Sequence, residues 1–419
     1  AAAEGRIRRA RLAHQPDDEV ARFPYEEHAA TMIEARRWPQ STTRISEMRV
    51  EVEYERAAGW RSGPATLTLD IVDYPGEWLL DLALVGASYA EWSRQTVEGS
   101  RRPGRAELAD SWRQKLAALD PAGPADELVA ERASAAFKAY LTALRVGPEA
   151  VATTPPGRFL MPGDLDGSPA LTFAPLDLPR DGEITSGTLA GLMERRYEAY
   201  KRHVVRPFFR DHFQRIDRQI VLVDVLAAVD GGAVALAELE EALDQVLIAF
   251  RTGRNTMLSR LFSPRADRVL FAATKADHIH HASHDRLDAL LRTLVARAVK
   301  RTEAGGARVG TVALASVRAT RETAVRDRGE LLRAVAGVPE AGEEVGGEMF
   351  DGETEAAVFP GELPQDPHAV LAGAVPPGSF RFPRFRPPAI TRDAAGRPAA
   401  LPHIRLDRAL EFLIGDRLA

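Results

Sequence analysis

LTLDIVDYPGEWLL, residues 67 to 80, decides how the rest of the chain is read. Leu67, Leu69, Ile71 and Val72 make an apolar, partly β-branched run of strand length, which suits a buried parallel strand better than a surface helix. The run stops at Asp73, and Pro75 and Gly76 turn the chain before an apolar helical pattern opens at Trp78. A carboxylate at the carboxyl end of a central strand can hold magnesium directly or through water. A glycine three residues on lets a backbone N–H approach a terminal phosphate. Asp73 and Gly76 so spaced suggest a nucleotide switch; the plainer alternative is a helix cap followed by a tight turn.

Upstream, Ile45, Met48, Val50, Val52 and Tyr54 alternate with Arg49, Glu51 and Glu53, the pattern of a half-exposed edge strand. With residues 65 to 72 it predicts an antiparallel hairpin on an otherwise parallel sheet. Residues 1 to about 40 read as weakly structured, apart from a short helix around 26 to 37. In the polar loop at 40 to 43, Thr43, or less favourably Thr42, is placed to complete a magnesium shell through its hydroxyl.

Downstream, a helical signal runs from Leu79 to about Tyr140 and returns at 186 to 214, where Pro207 is expected to kink or split it. Arg218 to Leu226, Val269 to Ala273 and Val309 to Ala315 are short apolar runs separated by helical patterns. Such βα units predict an α/β fold with helices on both faces of a mostly parallel sheet. Five segments follow. Residues 1–85 begin the core, 86–215 are a mainly helical insertion, and 216–317 complete the core. Residues 318–400 are loop-rich with small strands near 357–359 and 380–385, and 401–419 are a helix packing back on the core.

Apolar residues make up 45% of the chain and charged residues 27%, with a formal net charge of −5. That balance excludes disorder and does not point to nucleic acid. With no cysteine, disulfides, thiolate metal sites and cysteine nucleophiles are excluded. No long uncharged apolar run and no signal peptide are found, so a cytoplasmic location is the default expectation. The basic stretch Arg195 to Arg210, with Tyr197, Tyr200, Phe208 and Phe209, could dock on an anionic membrane, but packing against the core is the simpler reading.

Thr274-Lys275-Ala276-Asp277 directly follows the strand VLFAA. Asp277 there can accept hydrogen bonds from the N1–H and exocyclic amine of guanine, and Lys275 can lay its stem over the base. Ala315 and Ser316 sit after the next strand, where a backbone N–H could reach the guanine oxygen. Glu77, beside the switch glycine, is the candidate to position attacking water, though a first-turn helix acid is its ordinary role. No G-x-x-x-x-G-K-[ST] occurs anywhere. The phosphate-cradling loop is therefore expected upstream of Ala1, and this chain alone is expected to bind nucleotide poorly.

The blocks IVDYPGEWLLDL (71–82), PGRFLMPGD (156–164), DRQIVLVDVL (217–226), LFAATKADH (270–278) and LPHIRLDRALEFLIGDRL (401–418) resemble the bacterial YcjX family, P-loop NTPases associated with stress responses. The resemblance implies a Ras-like core that binds GTP or GDP with magnesium and hydrolyses GTP. It matches Asp73 and Gly76 to the magnesium and switch motif, and Thr274, Lys275 and Asp277 to the base motif, with Thr where many GTPases have Asn. Ser316 falls on the last base-contact loop and Thr43 on the first-switch threonine. Glu77 stands where small GTPases commonly carry glutamine. An unidentified protein effector is expected on the helical insertion. An ATPase with relaxed base recognition and a nucleotide-independent scaffold remain as alternatives.

Overall fold

The computed structural model describes residues 4–56, 63–145, 154–179, 183–248, 266–304, 307–327 and 329–418. Its first sheet contains β1 (Ile7–Ala13), β2 (Ala21–Arg22), β3 (Ser46–Arg56) and β4 (Gly63–Asp73). β1 and β4 flank β3 antiparallel, and β2 adds a short parallel pairing. The β3–β4 hairpin is in register from Ser46 opposite Asp73 to Arg56 opposite Gly63.

Two expectations need correction here. β3 is not an edge strand. Its apolar residues Val50, Val52 and Tyr54 pack with Leu67 and Leu69 around Leu418, while Glu51 and Glu55 pair with Arg11 and Arg8 of β1. The alternation thus reported two faces of a flanked strand. β4 is likewise antiparallel and half covered, with Ile71 exposed, rather than a buried parallel strand. The stretch before residue 40 holds the expected short helix, at Tyr25–Ile33, and in addition β1 and β2, which were not expected.

A second sheet is wholly parallel, in the order β5 (Arg218–Val223), β6 (Arg268–Ala273), β7 (Arg308–Ala313). Helices pack on both faces, although Ile220 and Leu222 of β5 stay exposed on one of them. Val269, Phe271 and Ala273 turn into the main core with Leu287, Leu290 and Leu291 of helix His284–Leu294. Leu270 and Ala272 turn the other way, onto Ala409 of helix Leu406–Ile414. β5 ends at Val223 because Asp224 caps the helix Val225–Asp230, accepting from Ala227 N–H.

The insertion between β4 and β5 is helical, with helices at Tyr89–Gly99, Ala106–Ala117, Glu127–Ala143 and Leu189–Tyr200. Trp92 stacks on Tyr197 and Trp112 on Tyr140, so these aromatics are core. The last helix widens into a π turn at Lys201–Val205 before Arg206–Asp211. Pro207, which has no N–H to donate, is the cause. One continuous apolar cluster joins this insertion to a face of the parallel sheet.

Beyond β7, β8 (Arg321–Asp327) and β9 (Glu330–Gly337) form a hairpin. β10 (Glu344–Val345) pairs with β11 (Glu348–Met349), and β12 (Ala356–Val358) joins β9. The strand expected at 380–385 is an irregular segment holding a single bridge, Pro339 to Phe385. Among the described residues no helix is long and apolar enough to cross a membrane.

Candidate functional site

Asp73 closes β4 half-buried, and its Oδ2 accepts from the Thr42 hydroxyl at 2.7 Å. Of the two loop threonines, the structure brings Thr42 to the carboxylate. Thr43 is exposed, and its carbonyl lies against Gly163. Having donated its one proton, the Thr42 oxygen keeps lone pairs for a cation, so this hydroxyl and carboxylate are a donor set that suits a hard divalent ion.

Pro75 then turns the chain, and exposed Gly76 opens the short helix Gly76–Asp81. The insertion grips this segment on several sides. The Glu77 carboxylate is ion-paired with Arg145. Trp78 Nε1 donates to Met161 O at 2.9 Å, and the Arg158 guanidinium lies 3.2 Å over the Trp78 ring. At Gly157 a Cβ would stand 1.9 Å from Glu77 O, so only glycine allows this approach. Tyr74 is tied to β5 by Gln219 Nε2, 3.2 Å from its hydroxyl.

Asp81 anchors the end of the segment. Its buried carboxylate accepts from Tyr200 OH at 2.5 Å and Gly157 N–H at 2.7 Å. Burial raises this carboxyl from 3.8 to about 6, against the lowering effect of its hydrogen bonds. Below the unfolded value both states hold the proton. Between 3.8 and about 6 only the folded state does, so this stabilisation is complete below pH 4, is lost as pH rises to about 6, and stays lost above. Asp81→Asn, which cannot ionise, is expected to gain stability relative to wild type across that window by up to about 3 kcal/mol. Urea unfolding at stepped pH measures it, and a difference that does not change with pH would contradict the assignment.

The second group stands at the carboxyl end of β6. Thr274 donates its N–H to Val223 O at 3.0 Å and turns its hydroxyl to the same carbonyl. Lys275 adopts a left-handed backbone, φ 58°, and its Nζ pairs with Asp224 Oδ2 at 2.6 Å. Asp277 is 5% exposed. Its Oδ2 accepts from Ala319 N–H at 2.8 Å, and its carbonyl accepts from the Thr320 hydroxyl at 2.5 Å. Among the described residues Oδ1 takes no hydrogen bond.

Ser316 lies exposed in the loop that supplies Ala319. The N–H of Ala315 is already donated to Ile404 O, so it is not available to a base, in contrast to the expectation. No hydrogen bond or ion pair links the Asp73 group to the Asp277 group among the described residues. Sequence reasoning missed the Asp224 partner of Lys275 and the role of Ala319 and Thr320. Asp224 was visible as an acid ending an apolar strand; the other two act through a backbone N–H and a hydroxyl that no pattern announces.

The chain is an α/β protein in which Asp224 and Asp277 stand just past the carboxyl ends of parallel strands, the side on which open α/β sheets bind their ligands. The model of the YcjX-like family, DUF463, matches residues 1–418. The chain is 38% identical over 416 residues to the Ras-like GTPase YcjX of Escherichia coli K12, covering 96% of this chain and 85% of that protein. It is 33% identical over 425 residues to the Ras-like GTPase YcjX of Shewanella oneidensis, covering 99% and 84%. This chain belongs to the YcjX-like family.

Proposed function

We propose that the chain binds GTP and hydrolyses it to GDP and phosphate, acting in the cytoplasm as a stress-related, nucleotide-dependent switch. The observation that carries the reading is Asp277, a buried residue whose carboxylate is fixed by Ala319 N–H and whose backbone carbonyl is held by the Thr320 hydroxyl, with one carboxylate oxygen left unbonded among the described residues just past the end of a parallel strand. Guanine offers two adjacent N–H donors to such an oxygen pair, and adenine does not. Ser316 lies in the loop that supplies Ala319, Thr274 is tied to Val223 O of β5, and Lys275 pairs with Asp224.

Asp73 with Thr42 or Thr43 would hold magnesium, which when bound neutralises charge on the phosphates. Gly76 would offer its N–H to the terminal phosphate, and Glu77 would orient the attacking water once released from Arg145. No G-x-x-x-x-G-K-[ST] loop to cradle the phosphates occurs in these 419 residues. β4 and β5 each have one unpaired edge among the described residues. The grip of the insertion on residues 77 to 81 supports it as the effector-reading surface.

The test is calorimetry with GTP and with ATP, in magnesium, on this chain and on a version carrying a phosphate loop. The longer protein is expected to prefer GTP by about a hundredfold or more, and this chain to bind either weakly. Equal affinity for ATP would overturn the base assignment.

A further inference from the structure

Four of the ten histidines, His278, His280, His281 and His284, lie just after Asp277. His278 and His284 are buried. His280 and His281 instead meet Glu322 of β8. His281 Nδ1 is 2.6 Å from Glu322 Oε2, and His280 Nε2 is 3.9 Å from the same oxygen. The two imidazole rings are 4.2 Å apart between centroids.

One donor atom from each residue lies within 4.8 Å of the other two. Around a tetrahedral zinc ion, with bonds of about 2.0–2.1 Å, donors stand roughly 3.4 Å apart. Side-chain rotation is enough to close the set. Glu322 Oε1 faces Arg318 at 3.7 Å, which orients the carboxylate so that Oε2 stays toward the imidazoles.

We infer that His280, His281 and Glu322 form a binding site for a zinc-type divalent transition-metal ion, separate from any magnesium at Asp73. Two imidazoles and one carboxylate are a donor set for zinc or cobalt rather than for magnesium, which takes oxygen alone. Coordination through His280 Nε2 puts that ring's proton on Nδ1, so the 3.3 Å hydrogen bond it accepts from Ala282 N–H is exchanged for the metal bond. His281 is 64% exposed, leaving water access to the fourth position.

The placement gives the ion a consequence. Ala319 and Thr320, which hold Asp277, lie just before Glu322, and His280 lies just after Asp277. Bridging His280 to Glu322 closes a ring of contacts around Asp277 and stiffens it. This coupling rests on the proposed base-binding role of Asp277; metal binding itself does not.

Cobalt(II) is the probe, titrated without nucleotide into the chelator-treated chain. One equivalent is expected to bind with the visible absorption of tetrahedral cobalt, to be displaced by zinc, and to bind at least about tenfold more weakly in His281→Ala and in Glu322→Gln. His281 is exposed and Glu322 is outside the core clusters, so both variants are expected to melt as wild type does without metal. No cobalt binding in wild type, or undiminished binding in both variants, overturns the site. Zinc is further expected to slow amide exchange over residues 317–323 in wild type and not in His281→Ala. Unchanged exchange with metal bound overturns the coupling. Failure of GTP binding with cobalt binding intact would count against the nucleotide reading alone.

Discussion

Asp277→Asn, placed in a protein that carries the phosphate loop, is expected to lower GTP affinity by about a hundredfold to ten-thousandfold and to transfer preference to xanthosine triphosphate. A hydrogen bond to a charged acceptor is worth roughly 1.5–3 kcal/mol, and guanine makes two to this carboxylate in the proposed pose. Asparagine keeps one oxygen, which still accepts from Ala319 N–H where Asp277 Oδ2 does now. Its amide then turns N–H donors toward the base, facing the donors of guanine but matching the C2 oxygen of xanthine. The variant therefore separates base recognition from folding. Competition calorimetry with GTP and xanthosine triphosphate reads the effect, and an unchanged ratio would remove Asp277 from the site.

The second large effect is on stability. Arg105 of the insertion and Glu238 of helix Gly232–Ile248 form a two-pronged ion pair, Nε to Oε1 at 2.7 Å and Nη2 to Oε2 at 2.9 Å. Their side chains are 10% and 7% exposed. Thr154 Oγ1 accepts from Nη1 of the same guanidinium at 2.8 Å. Glu238→Ala leaves that cation buried without its carboxylate and is expected to cost about 3–5 kcal/mol. Replacing both partners by apolar residues of similar volume is expected to cost far less, because it removes two desolvated charges together. Urea unfolding of the single and double variants measures both; equal losses would show that the site depends on its packing rather than on its charge.

How much of this was legible beforehand depended on which groups carry each feature. The parallel strands were readable because burial on both faces requires continuous apolar runs such as VLFAA. The place of Asp277 was readable because the polar residues that follow such a run stand at the carboxyl edge of the parallel sheet, whereas Asp73 ends an antiparallel strand that the same reasoning took for a parallel one. The pairing of β3 was misread because an edge strand and a flanked strand with one charged face carry the same alternation. β1 was missed since its many arginines fitted a weakly structured start of the chain until Glu51 and Glu55 are placed opposite two of them. The choice between Thr42 and Thr43 depended on loop geometry that neighbouring residues of the same type cannot encode.

The first sheet and the far end of the chain meet in a way that bears on how the molecule assembles. Arg6 donates to the carbonyls of both Glu55 and Leu418, and the Tyr54 hydroxyl donates to Arg417 O. Leu418 sits in the apolar cluster of β3 and β4, while Leu406–Ile414 covers the parallel sheet. Contacts of such large sequence separation close loops of several hundred residues, and the entropy of that closure must be met before the contact stabilises anything. The last step of folding is therefore expected to be the docking of residues 406–418 across both sheets. Until it happens, the first sheet lacks Leu418 and Ile414 of its apolar cluster and the parallel sheet lacks Ala409 against Leu270 and Ala272, so both sheets are expected to gain amide protection together when that segment docks.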